Sequence, residues 1–93
     1  MVEWVFVAGV PVPNGLVLEL ATLVKDARLA AKLERGVERD VIVIGLTDDE
    51  RILVLRALAD PPPGLEEVRE TLLSDERRRA IVIGGQRATG TAA

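Results

Sequence analysis

The sequence predicts one small α/β or α+β domain, a three-stranded sheet at about 3–8, 41–45 and 80–84 with three or four helices packed on it. Two kinds of patterning carry that expectation. Short β-branched runs stand apart from stretches in which aliphatic residues recur every three or four positions. Glycine and proline clusters separate the two.

Trp4, Val5, Phe6, Val7 and Ala8 form the first run, which stops at Gly9 ahead of a Pro11-Val12-Pro13-Asn14-Gly15 cluster that reads as a turn. Apolar on both faces, this strand belongs inside a sheet or against a partner. Trp4 and Phe6 are two apart, so on a strand their rings share a face. They read as core filling or, if exposed, as an interface anchor.

Over 16–39 the period changes. Leu16, Leu20, Leu23, Ala27, Ala30 and Ala31 mark the stripe of an amphipathic helix, with Asn14 as N-cap and Gly36 where a helix could end. Lys25-Asp26-Ala27-Arg28 dilutes the stripe midway, so the stretch is one helix or two. Val41, Ile42, Val43 and Ile44 read as a buried strand. Thr47-Asp48-Asp49-Glu50 then fits a capping box, with acids at the positive end of a helix over about 48–59. Ile52, Leu55, Leu58 and Ala59 are its expected inward residues.

Pro61, Pro62, Pro63 and Gly64 end that helix. A last helix over 65–73 would bury Leu65, Val68 and Leu72. Arg77, Arg78 and Arg79 precede Ala80-Ile81-Val82-Ile83, the third expected strand. The compact domain is expected over 1–85, with 86–93 as a flexible C-terminal tail.

The segments Leu46-Thr47-Asp48-Asp49-Glu50-Arg51, Leu55-Arg56-Ala57-Leu58 and Pro61-Pro62-Pro63-Gly64-Leu65-Glu66-Glu67-Val68-Arg69 resemble short bacterial proteins of uncharacterised function. Those share a Leu-Thr pair, an acidic cap, an aliphatic helix, a proline pair and a Leu-rich second helix. The resemblance covers about a third of the chain. It implies a hairpin of two packed helices and attaches no activity.

Composition narrows the chemistry. The 93 residues include no Cys, no His and no Tyr, and Ser74 is the sole serine. Thiolate nucleophiles, Ser–His–acid and Cys–His mechanisms and the commonest zinc ligands are therefore excluded within this chain. No catalytic residue, metal or cofactor is expected. A formal charge of −3 opposes a broad attraction to nucleic acid or anionic membrane. The expected compartment is the cytoplasm.

Each chemical motif has a simpler structural account. Asp48 and Asp49 could recruit Mg²⁺, yet the capping box explains them without a ligand. Gly84-Gly85-Gln86 follows a run like that before a phosphate loop but lacks the Lys-Ser/Thr end. Arg77, Arg78 and Arg79 either complement a helix dipole and pair with Asp75 and Glu76, or clamp an acidic partner. Helices within 16–39 could be scanned as a DNA-reading pair, but Glu34 and Glu38 sit among Lys32, Arg35 and Arg39. The leading expectation is a non-enzymatic protein-interaction domain that self-associates, with Trp4, Phe6, Arg77, Arg78 and Arg79 as possible interface residues. The alternative is a nucleic-acid-binding regulator using helices within 16–39 and the arginine run.

Overall fold

A computed structural model describes residues 2–92 of the chain, with side chains through residue 79. The elements run β1 (Trp4–Val7), β2 (Val10–Pro13), α1 (Asn14–Leu23), α2 (Ala27–Glu38), β3 (Val43–Ile44), α3 (Asp48–Ala57) and α4 (Glu66–Ala92). The result is an α+β domain, a mixed three-stranded sheet with four helices.

The sheet order is β2-β1-β3, so the first strand is central. β2 pairs antiparallel with β1 through a two-residue hairpin, and β3 pairs parallel with it, Phe6 opposite Val43. The hairpin turn is Ala8-Gly9, both with positive φ, 52° and 80°. Positive φ at both central residues is the type I′ geometry, whose twist matches that of the flanking strands.

The third strand is therefore 10–13 and not 80–84, a correction with a clear physical cause. A hairpin closes β2 onto β1 at far lower loop entropy than a segment some seventy residues away can match. Residues 80–84 instead continue α4, because no glycine or proline interrupts 65–83. Residues 86–92, expected as a tail, belong to the same helix in their backbone. The Pro11–Pro13 cluster, expected as a turn, is an edge strand. Proline lacks an N–H but is compatible with an edge position where that N–H would point outward.

Burial alternates along the strands. Val5, Val7, Val10, Val12 and Ile44 face the core, where they meet Val17, Leu20, Leu29, Leu33, Val54, Leu58, Leu65 and Leu72. All four helices lie on that one side or at its rim, and among the described residues no polar side chain is buried. The stretch over 16–39 is two helices: Asp26 N-caps α2 by accepting from the Leu29 N–H at 2.9 Å. Asn14 does not cap α1. It is that helix's first residue, and its Nδ2 donates to the Val2 carbonyl at 2.8 Å, tying the start of β1 to the helix.

Of the residues expected inward along α3, Leu58 at its C-cap is buried and Leu55 packs half-buried on the core. Ile52, 45% exposed, and Ala59 face outward, and Val54 turns inward instead. Leu65, Val68 and Leu72 are buried as their spacing indicates. Gly36 lies inside α2 and does not end it. Its lack of a side chain allows close contact with β3, since a Cβ there would stand 2.5 Å from Ile44 Cδ1. α2 closes instead through Asp40 at φ 52°. The Asp40 N–H reaches the Val37 carbonyl and the Val41 N–H reaches the Gly36 carbonyl, a Schellman closure.

Candidate functional site

The face of the sheet turned away from the core is apolar. On it Trp4 is 52% exposed, Phe6 41% and Val43 64%, and Ile42, just before β3, is exposed beside the edge. The strand register aligns Pro11, Phe6 and Val43 in one row across all three strands, with Trp4 opposite Pro13 in the next. Trp4 and Phe6 do share a face, but not the core's. The expected burial of 41–44 is likewise corrected: Ile44 is buried and Val41 packs half-buried against the core, whereas Ile42 and Val43, at the open edge of the sheet, are exposed.

The two sheet edges differ in kind. On β2, the register leaves Val5–Val12 and Val7–Val10 as the pairs able to exchange backbone hydrogen bonds, because Pro11 and Pro13 have no N–H. The outward positions of that edge are therefore prolines, which blocks strand addition there. On β3, the Phe6 N–H donates to the Ile42 carbonyl at 2.7 Å and the Ala8 N–H to the Ile44 carbonyl at 3.0 Å. By alternation, the N–H and C=O of Val43 point away from the sheet. Gly45, with the same orientation expected, has nothing within 4 Å of where a Cβ would stand.

Beside that open edge runs a groove of about 760 Å³ between α2 and β3. Its floor holds Ala31, Gly36, Val41 and Ile44, and its helix wall carries Arg28, Lys32, Arg35 and Arg39. Spacings of four, three and four residues put those cations within about 60° of one another around the helix. No acidic residue lines the groove. Glu34 and Glu38, which alternate with the cations in sequence, are on other faces of α2. Lys32 Nζ is bound to Glu50 Oε1 at 2.8 Å, whereas Arg28, Arg35 and Arg39 make no ion pair among the described residues.

The Thr47–Glu50 motif is a capping box in full. Thr47 Oγ1 accepts from the Glu50 N–H at 3.1 Å, and Glu50 Oε1 accepts from the Thr47 N–H at 2.8 Å. Lys32, joined by that backbone N–H, holds the Glu50 carboxyl below its ordinary pKa. Asp48 is ion-paired with Arg51 and with Arg79, the latter at 3.0 Å. Among the described residues no three carboxylates, or other metal-ligating side chains, gather into a metal-holding group.

Arg77, Arg78 and Arg79 are all exposed on α4. Arg78 meets Asp75 at 2.5 Å, and Arg79 meets Asp48 on α3. Arg51 Nε lies 2.9 Å from Glu76 Oε1, both atoms shielded from solvent, an ionic contact without aligned hydrogen-bond geometry. Of the three arginines only Arg79 thus joins Arg51 in the ion pairs that fasten α3 to α4, whereas the Arg78 pair lies within α4. The three are not brought to the Trp4–Phe6 face by any contact, nor do they line the groove.

Along the chain the charges over 16–39 alternate in sign, which hides the groove from sequence order. The signal was present in the spacing: 28, 32, 35 and 39 fall on one helical face, whereas 34 and 38 do not. Comparison of the chain with protein-family models, curated proteins and solved structures finds no match. Among the described residues, no helix is long and apolar enough to cross a membrane.

Proposed function

We propose that this chain is a non-enzymatic protein-interaction domain that pairs with a second copy of itself through the open face of its sheet. The observation that carries the reading is the unbroken apolar row on that face. Trp4, Phe6 and Val43 stand exposed together on it, and aromatic side chains gathered on an open apolar face are the anchors that protein interfaces use.

A second copy is the occupant that the chemistry of the face favours. It carries no charge, so a two-fold arrangement brings no like charges together. A sheet also packs well on a sheet, at a spacing of about 10 Å. The acidic charge of the chain lies elsewhere, which keeps this face free to desolvate. The absence of imidazole, thiol and phenol groups from the sequence supports the non-enzymatic part. A cytoplasmic location belongs to the same reading.

The alternative, a nucleic-acid-binding regulator built on helices within 16–39 and the arginine run, draws little from Arg78 and Arg79, which are engaged with acids. Sedimentation velocity across micromolar concentrations tests the proposal. A dimer that Phe6→Lys converts to a monomer of unchanged circular dichroism supports it. A wild-type monomer throughout contradicts it.

A further inference from the structure

We infer that the groove between α2 and β3 receives an extended, acidic segment of a partner protein, added as a further strand on the open β3 edge. This goes beyond self-association through the sheet face and stands on different groups, the β3 backbone and the α2 cations in place of the apolar side chains. The carrying observation is a juxtaposition: an unpaired strand edge lies directly beside a one-signed row of cations.

Strand addition needs backbone groups that face outward and room for a neighbour at about 4.8 Å. Val43 supplies the groups, and Gly45 supplies the room, with no side chain to obstruct an approaching backbone. The Val41 N–H is already committed to the Gly36 carbonyl, so pairing begins at Val43 and runs toward Gly45. The opposite edge of the sheet has Pro11 and Pro13 at its outward positions, which directs any added strand to β3.

Charge defines the partner. From Arg28 to Arg39 the stripe rises about 16 Å along α2, the length of about five residues of strand. In an extended segment alternate side chains share a face, recurring at about 6.7 Å. Positions four apart on a helix recur at about 6 Å. Carboxylates at alternate positions of a segment lying along the groove can therefore meet Arg35 and Arg39, which are four apart. Guanidinium–carboxylate pairs are the strongest such contacts in partly desolvated sites. Lys32 is already held by Glu50, so Arg28, Arg35 and Arg39 are the expected contacts.

Backbone phosphates would also be attracted to a cationic stripe. They would leave the strand edge unpaired and gain nothing from the apolar floor of Ala31, Gly36 and Ile44. The acidic peptide uses all three features.

The test is fluorescence anisotropy with a labelled peptide of about eight residues alternating Glu and Thr, titrated with the full chain at low salt. Saturable binding that weakens with salt is expected. It should fall about tenfold or more for the exposed pair Arg35→Ala/Arg39→Ala, and by a similar factor when the peptide is N-methylated at alternate residues. The Phe6→Lys variant, which targets self-association, should bind the peptide as the wild type does, so the two proposals fail separately. The inference is overturned by absence of binding, by equal binding of a Lys–Thr peptide or by indifference to the arginine changes. Undiminished binding of the N-methylated peptide, or tighter binding of mixed-sequence duplex DNA, overturns it too.

Discussion

Gly36 of α2 lies so close to Ile44 of β3 that a single methyl group on it would fall 2.5 Å from Ile44 Cδ1 and 2.9 Å from Cγ1. This contact sets how near the helix approaches the strand and so fixes the width of the groove between them. Alanine at 36 would gain about 1 kcal/mol in helix propensity. The overlap with a buried isoleucine costs about 1–3 kcal/mol, so the helix must shift or the strand must move.

Gly36→Ala is therefore expected to destabilise the domain by about 1 kcal/mol net, measured by urea unfolding. Ile44→Val removes the nearest atom and should recover part of the loss, giving a favourable coupling in a double-mutant cycle. Strict additivity of the two changes would show that the close approach does not constrain the helix.

The cap of α3 gives a pH-dependent prediction. The Lys32 Nζ and the Thr47 N–H stabilise ionised Glu50, and its carboxyl pKa is depressed below the ordinary 4.5 in the folded chain. A depressed folded pKa contributes stability above the unfolded value, and that contribution is lost as the pH falls through the folded one. Glu50→Gln should thus flatten the acid limb of the stability profile below pH 4.5 and lower the plateau above it. Thr47→Ala should cost about 1 kcal/mol. A Glu50→Gln chain with the wild-type acid limb would contradict the Lys32–Glu50 linkage.

The hairpin carries a locally unfavourable residue. Ala8 adopts φ 52°, a conformation that costs a residue with a Cβ about 1–2 kcal/mol. Asparagine tolerates this region, and Asn-Gly is the preferred type I′ pair. Ala8→Asn is expected to raise stability by about 1 kcal/mol, with thermal unfolding as the measurement. A fall in melting temperature would mean that the half-buried methyl matters more to packing than to the turn.

Much of the fold was legible where local chemistry decides it. Thr47 and Glu50 announce the start of α3 by spacing alone, and Leu65, Val68 and Leu72 announce the buried face of α4. The β1 run identified a central strand. Its neighbours were harder to read, because pairing is a tertiary choice. Pro11 and Pro13 looked like breakers, yet at alternate positions on an edge they cost no ladder bond. Ile81, Val82 and Ile83 looked like a strand, yet the place beside β1 was taken by a segment two residues away.

The candidate site was half legible. Trp4 and Phe6 were singled out as a pair sharing a face, and the alternation of burial along β1 decides which face. The cation stripe was obscured by reading charges along the chain and not around the helix. Only the position of β3 beside α2 makes Arg28, Arg35 and Arg39 one wall of a groove.

Trp4 is the sole tryptophan, so its emission reports directly on the surface proposed to be covered. Fluorescence measured from nanomolar to hundreds of micromolar chain is the decisive experiment. The account predicts a concentration-dependent blue shift that tracks the monomer–dimer transition and is absent in Phe6→Lys. Emission fixed at that of a half-exposed indole over the whole range would contradict it.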